Sequence, residues 1–183
     1  EGSRCMNCHM PHTTLGLLGA MRSHRVDSPN ANNAEKTGRP DACSLCHLDT
    51  PLSKTAQHLT EWYGQAPLEN IRFTNNEPSA ALLWYLKGDA AQRALIAWHM
   101  GWAPAQHISG KDWIPPYLSV GMEDEYSAVR YIAGNALRSI PGFDDIQYDY
   151  TREPEHWAQA VDKVLHQWTA KQPTVSRPAL LMT

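Results

Sequence analysis

Cys5-Met6-Asn7-Cys8-His9 stands almost at the start of the chain, and Cys43-Ser44-Leu45-Cys46-His47 repeats its spacing 38 positions on, from 5 to 43. Together the two stretches use all four cysteines of the 183-residue sequence. Three chemistries can take a Cys-x-x-Cys pair. A redox disulfide belongs to thioredoxin-like βαβ surroundings, and no such alternation is visible around either pair. A zinc site of four thiolates would use Cys5, Cys8, Cys43 and Cys46, but gives no reason for a histidine to follow each pair. Covalent haem attachment uses every residue: two thiols add to the haem vinyl groups, and the adjacent imidazole is held beneath the ring as an axial iron ligand. The residues point to two covalently attached haem c groups, with thioethers at Cys5, Cys8, Cys43 and Cys46 and proximal ligands His9 and His47.

Composition narrows what such a chain can do. At 42% hydrophobic and 19% charged residues it reads as an ordinary globular protein, long enough for one domain or two small ones. A net charge of -3 provides no basic field for nucleic acid. No apolar run approaches the roughly 18 residues of a membrane span; the longest, ALLWYL, stops at Lys87 and Gly88. Haem of this kind is attached outside the cytoplasm, so a periplasmic or extracellular protein is expected. The chain begins at Glu1 with no leader pattern, which reads as a removed signal peptide or as the C-terminal part of a longer chain. Haem propionates add negative charge, so an electrostatic partner would present a basic face.

Two longer stretches carry a resemblance. Cys5 to Pro29 and Thr37 to Gly64 resemble the C-terminal region of a family of bacterial multihaem cytochromes c. The shared features are Cys-x-x-Cys-His-Met-Pro at Cys5 to Pro11 and a His in an Arg-containing, Pro-ended stretch at His24 to Pro29. Pro-x-Ala-Cys-x-x-Cys-His follows at Pro40 to His47, and a helix ending Trp-Tyr-Gly at Trp62 to Gly64. The resemblance covers roughly residues 3 to 64. It implies helical TPR- or HEAT-like repeats downstream, further haems upstream or on companion subunits, and other cytochromes or haem-containing redox proteins as partners.

The sixth iron ligand separates electron carriers from haems that bind substrate. His24 lies in a loop-like stretch, and the resemblance favours it as a distal ligand. His12 follows His9 too closely to reach over the same ring, but could cap the second haem. His58 falls about 100° off the apolar stripe Leu52, Ala56, Leu59 and Tyr63 of a helix starting near Thr50 and Pro51, so it is the weakest of the three. Met10 is excluded by its place beside His9, and Met21 reads as a core or surface residue. Two bis-His haems of low potential are expected, with one five-coordinate haem as the alternative.

Beyond residue 78 the pattern becomes helices punctuated by turns. PSAALLWYLKG runs from Pro78 to Gly88, and Asp89 caps a helix with stripe Ala91, Leu95, Trp98 and Trp102. WIPPYLSVGM starts at two prolines, and SAVRYIAGNALRSIPG aligns Val129, Ile132, Ala133, Ala136 and Ile140. PEHWAQAVDKVLHQW aligns Trp157, Val161, Val164, Leu165 and Trp168. His99 reads as a core or boundary histidine, while His107, His156 and His166 have no special role.

The helix pairs resemble HEAT repeats, which bury their faces only against neighbours or against the haem module. The expected architecture is mainly α: a loop-rich dihaem module over 1–70, a short HEAT-like array over 71–172 and an extended tail over 173–183. The expected function is electron relay between haem partners, with no catalytic residue assigned. A redox enzyme or gas-binding sensor with one open haem is the alternative from another class, and a HEAT-like protein-binding module is a third.

Overall fold

The computed structural model describes residues 4–68, 77–171 and 178–181. It begins with a single helical turn, α1 (Cys5–His9). Positions i, i+3 and i+4 share a helix face, so this turn puts Cys5, Cys8 and His9 side by side. An antiparallel hairpin follows, β1 (His12–Gly16) and β2 (Gly19–Arg22), in register Leu15 to Ala20 and Gly16 to Gly19. Its two-residue turn is Leu17-Leu18, with φ of 50° and 58°. Positive φ at both turn residues matches the twist of the strands, but leucine carries none of the Asn-Gly signal that announces such a turn. The hairpin was therefore invisible to sequence reasoning.

α2 (Ala31–Thr37), also unforeseen, starts at Asn30, whose side chain accepts from the Asn33 N–H, and stops at Gly38 with φ 67°. α3 (Leu52–Tyr63) stops at Gly64, again with φ 67°. Ala31 and Ala34 of α2 meet Leu52, Ala56 and Leu59 of α3, with Leu68 and Ala80 closing the cluster. Three residues of the expected α3 stripe are thus buried; Tyr63 is instead 74% exposed, because it lies in the last turn, past the reach of α2.

The rest is a helical body: α4 (Ala80–Lys87), α5 (Ala90–Met100), α6 (Ala103–Ser109), α7 (Ile114–Met122), α8 (Ser127–Arg138) and α9 (Pro154–Ala170). Among the described residues the fold is mainly α. Ser79 caps α4, and Asp89 with Gln92 forms a reciprocal capping box on α5. α5 packs on α4, α7 and α8, while α7 also packs on α9. Ala94, Leu95, Ile96, Ala97, His99 and Met100 of α5 are all buried, the signature of a helix surrounded by neighbours. The single stripe expected there is too narrow: Ala91 is exposed and Trp98 half-buried. α8 buries Val129, Ile132, Ala133 and Ala136 as expected, and α9 buries Val161 and Val164 but leaves Leu165 exposed. A bidentate pair, Arg93 to Asp124 at 2.6 and 3.0 Å, ties α5 to the α7–α8 turn.

Packing is continuous from the second motif into this body. Leu45 and Leu48, which flank Cys46 and His47, belong to the same hydrophobic core as α4 to α9. Residues 69–76, where the expected domain boundary falls, lie outside the described ones. Of the expected tail, residues 178–180 form a 3-10 turn whose Leu180 is fully buried. Ser79 N–H donates to the Ala179 carbonyl at 2.7 Å, and the Tyr117 hydroxyl to the Leu180 carbonyl. This part of the tail is docked rather than extended, because Leu180 finds a place in the core. No helix among the described residues is long and apolar enough to cross a membrane.

Candidate haem-attachment site

None of the five residues of α1 is buried, and Cys5, Cys8 and His9 are all exposed. The segment is held by two reciprocal bonds: His9 Nδ1 lies 2.8 Å from the Asp27 carbonyl oxygen, and the Asp27 N–H donates to the His9 carbonyl at 2.9 Å. A carbonyl only accepts, so Nδ1 carries the proton and Nε2 keeps its lone pair. That is the orientation a metal-ligating imidazole requires from its support. Arg22 at the end of β2 completes the hold. Its guanidinium donates to the Met6 and Met10 carbonyls at 2.8 and 3.1 Å and to Asn7 Oδ1 at 2.7 Å. Nothing in the sequence distinguishes Arg22 from a solvated charge; only the hairpin brings it to α1.

The second motif is built differently. Asp41 Oδ1 accepts from the Cys43 and Ser44 N–H groups at 2.9 and 3.1 Å. The Cys43 carbonyl then accepts from Cys46 and His47 at 3.0 and 2.7 Å, closing one turn. Ser44, Leu45 and Leu48 anchor this turn in the core, Cys43 and Cys46 are half-buried, and His47 is exposed. Burial, the Asp41 carboxylate and the neighbouring thiols of Cys8 and Cys46 push the Cys43 thiol up to about 12. Cys8 and Cys43, 35 positions apart in sequence, are thus electrostatic neighbours. Cys8 also lines a cleft of about 390 Å³ together with Arg25, Arg39, Asp41 and Ala42.

The donor set fits covalent haem. Each motif offers two thiols and one outward imidazole, and His9 has its unprotonated nitrogen available. No disulfide joins the cysteines. Among the described residues no three His, Cys, Asp or Glu side chains converge on a common metal position, so the four-thiolate zinc arrangement is not assembled.

The distal candidates separate. His24 is exposed, on the loop after β2. His12 faces the helical body instead, with its ring 4.9 Å from Trp98, 5.3 Å from Trp102 and 6.3 Å from His99. Burial and the Arg22 charge lower its basicity. His58 stacks on Trp62 at 4.7 Å, on the outer side of α3, and lies 3.7 Å from Glu61. Trp62 is 66% exposed. His99 is buried as expected, its Nδ1 2.9 Å from the Leu95 carbonyl. No family model, curated protein or solved structure matches the chain.

Proposed function

We propose that the chain is a dihaem c-type cytochrome that carries electrons between haem-containing redox proteins outside the cytoplasm, with its helical body, read as short HEAT-like pairs, serving as docking scaffold. One observation carries the reading: two Cys-x-x-Cys-His motifs, distant in sequence, fold so that Cys8 of the first lines one cleft with Asp41 and Ala42 at the entry to the second, within electrostatic reach of Cys43. When bound, haem supplies a one-electron iron couple whose potential depends on axial ligands, hydrogen bonding and burial. Cys5, Cys8, Cys43 and Cys46 would be the attachment points, and His9 and His47 the proximal nitrogens. Asp27 and Arg22 hold the first motif from the hairpin side, and Asp41 shapes the second. The exposure of the first motif and the core anchoring of the second give the pair one solvent-facing and one embedded member. His24 completes a bis-His reading at one iron.

A second reading, a redox enzyme or gas-binding sensor with one open haem, has a specific support. Of three distal candidates for two irons, His12 is engaged with α5 and His58 with Trp62. The visible spectrum of the dithionite-reduced protein, taken before and after carbon monoxide, separates the two. An unchanged c-type spectrum means two filled irons and electron relay. A shift in about half the haem signal moves the open-site reading forward. His24→Ala is expected to create a high-spin, carbon-monoxide-accessible iron; a fully low-spin spectrum would remove His24 from the ligand set.

A further inference from the structure

Outside the two Cys-x-x-Cys-His motifs, a group of chemistry-bearing side chains gathers where the hairpin meets α5. His12 opens β1, Trp98 and His99 stand in the last turn of α5, and Trp102 lies just beyond it. His99 is 4.9 Å from Trp98 and 5.7 Å from Trp102, and His12 is similarly close to both. The Leu95 carbonyl can only accept, so His99 Nδ1 is the protonated nitrogen and Nε2 keeps a lone pair. His12 Nδ1 is buried with no hydrogen-bond partner among the described residues. A buried polar atom left so is unfavourable, because it has given up water and gained no partner. Something other than the described side chains is needed to satisfy it.

We propose that His12 and His99 form a two-coordinate site for a single cuprous ion. The 6.3 Å between ring centres is close to what two imidazoles need to face one ion with metal–nitrogen bonds of about 2.0–2.1 Å. Donor count selects the metal. Among the described residues no third His, Cys, Asp or Glu joins them. Zinc sites take about four ligands, and calcium and magnesium take about six or more, chiefly oxygens. Cuprous copper, with a filled d shell, is satisfied by two nitrogens in line, and imidazole suits copper. A single positive charge is also the least costly to bury, and the adjacent indoles of Trp98 and Trp102 offer π faces to a cation. Occupancy would join the segment three residues past His9 to the core helix.

The test is anaerobic equilibrium dialysis of the haem-loaded protein against cuprous ion buffered by a competing chelator. Metal content is read by mass spectrometry and coordination by copper K-edge absorption. One copper per chain with two nitrogen neighbours is expected. His12→Gln and His99→Gln should each weaken retention at least tenfold, while His107→Gln and His166→Gln, at exposed positions on α6 and α9, leave it unchanged. His99→Gln risks unfolding, so far-UV circular dichroism accompanies each variant, and His12→Gln, at a half-buried hairpin position, bears the test alone if needed. Wild-type protein that retains no copper, or a folded His12→Gln that retains it undiminished, overturns the proposal and leaves a buried water as the partner of His12.

Discussion

At the scale of single residues, the side chain that most determines the first motif is Arg22. Its three hydrogen bonds satisfy two carbonyls of an exposed turn that buries nothing of its own. Hydrogen bonds from a charged donor contribute about 1.5–3 kcal/mol, and the planar fork of arginine reaches several acceptors at once where lysine cannot. Arg22→Gln is therefore expected to destabilise the fold by about 1.5–3 kcal/mol, with Arg22→Lys recovering little of it. Urea unfolding of both variants checks this. A shift in midpoint below a quarter of that expected would mean that water already satisfies Met6 and Met10. His9 shows the opposite legibility. Its proposed role is read from spacing alone, while the Asp27 carbonyl that orients it lies 18 positions away and only the loop after β2 brings it there.

Among the elements, the hairpin carries the clearest local conflict. Leu17 is fully exposed, and both turn residues occupy the left-handed region, which costs an L-residue with a Cβ about 1–2 kcal/mol. Leu17→Asn loses no burial and suits the turn. It should raise stability by about 1 kcal/mol, seen as a higher midpoint in thermal unfolding; an unchanged or lowered midpoint would show that this turn is not strained. A Cβ at Gly16 would come within 2.5 Å of Met21 Cε, but that methyl ends a flexible, exposed side chain that can move aside. The helices were far more legible. α4, α5, α7, α8 and α9 follow from their periodicity, from Asp89 as a cap, and from the prolines near the starts of α4, α7 and α9. α2 escaped because Ala-Asn-Asn-Ala-Glu-Lys-Thr has too few large apolar residues to show a period; two alanines against α3 suffice to hold it.

For the whole molecule, the second motif is part of the helical core. Leu48 is 0% exposed and Leu45 1%, within the cluster built by α4, α5, α7, α8 and α9. Leu48→Ala, one residue after His47, should therefore cost about 2–5 kcal/mol by the cavity it leaves. The loss should be visible as earlier melting of the entire helical circular-dichroism signal. If instead only the haem spectrum changes, the two parts unfold independently and the core is not shared. Likewise Leu180, 0% exposed near the chain end, closes the core beside Tyr117 and Ser79, a contact that no local pattern in Pro178-Ala179-Leu180 announces.

By itself the sequence determined the helical class, and it alone carries the proposed attachment chemistry. Both are short-range: a Cys-x-x-Cys-His run acts through neighbours within one turn, and an amphipathic period is written along a single element. Only the tertiary structure decided which side chains meet across long separations. It set Arg22 against α1, Cys8 beside Cys43, Leu45 and Leu48 within the core, and His12 against Trp98 and His99 rather than toward the attachment motifs. Those placements depend on how the hairpin lies on α5 and how the second motif docks beside α4. That is a matter of fitting whole surfaces together, and no single stretch of the chain records it.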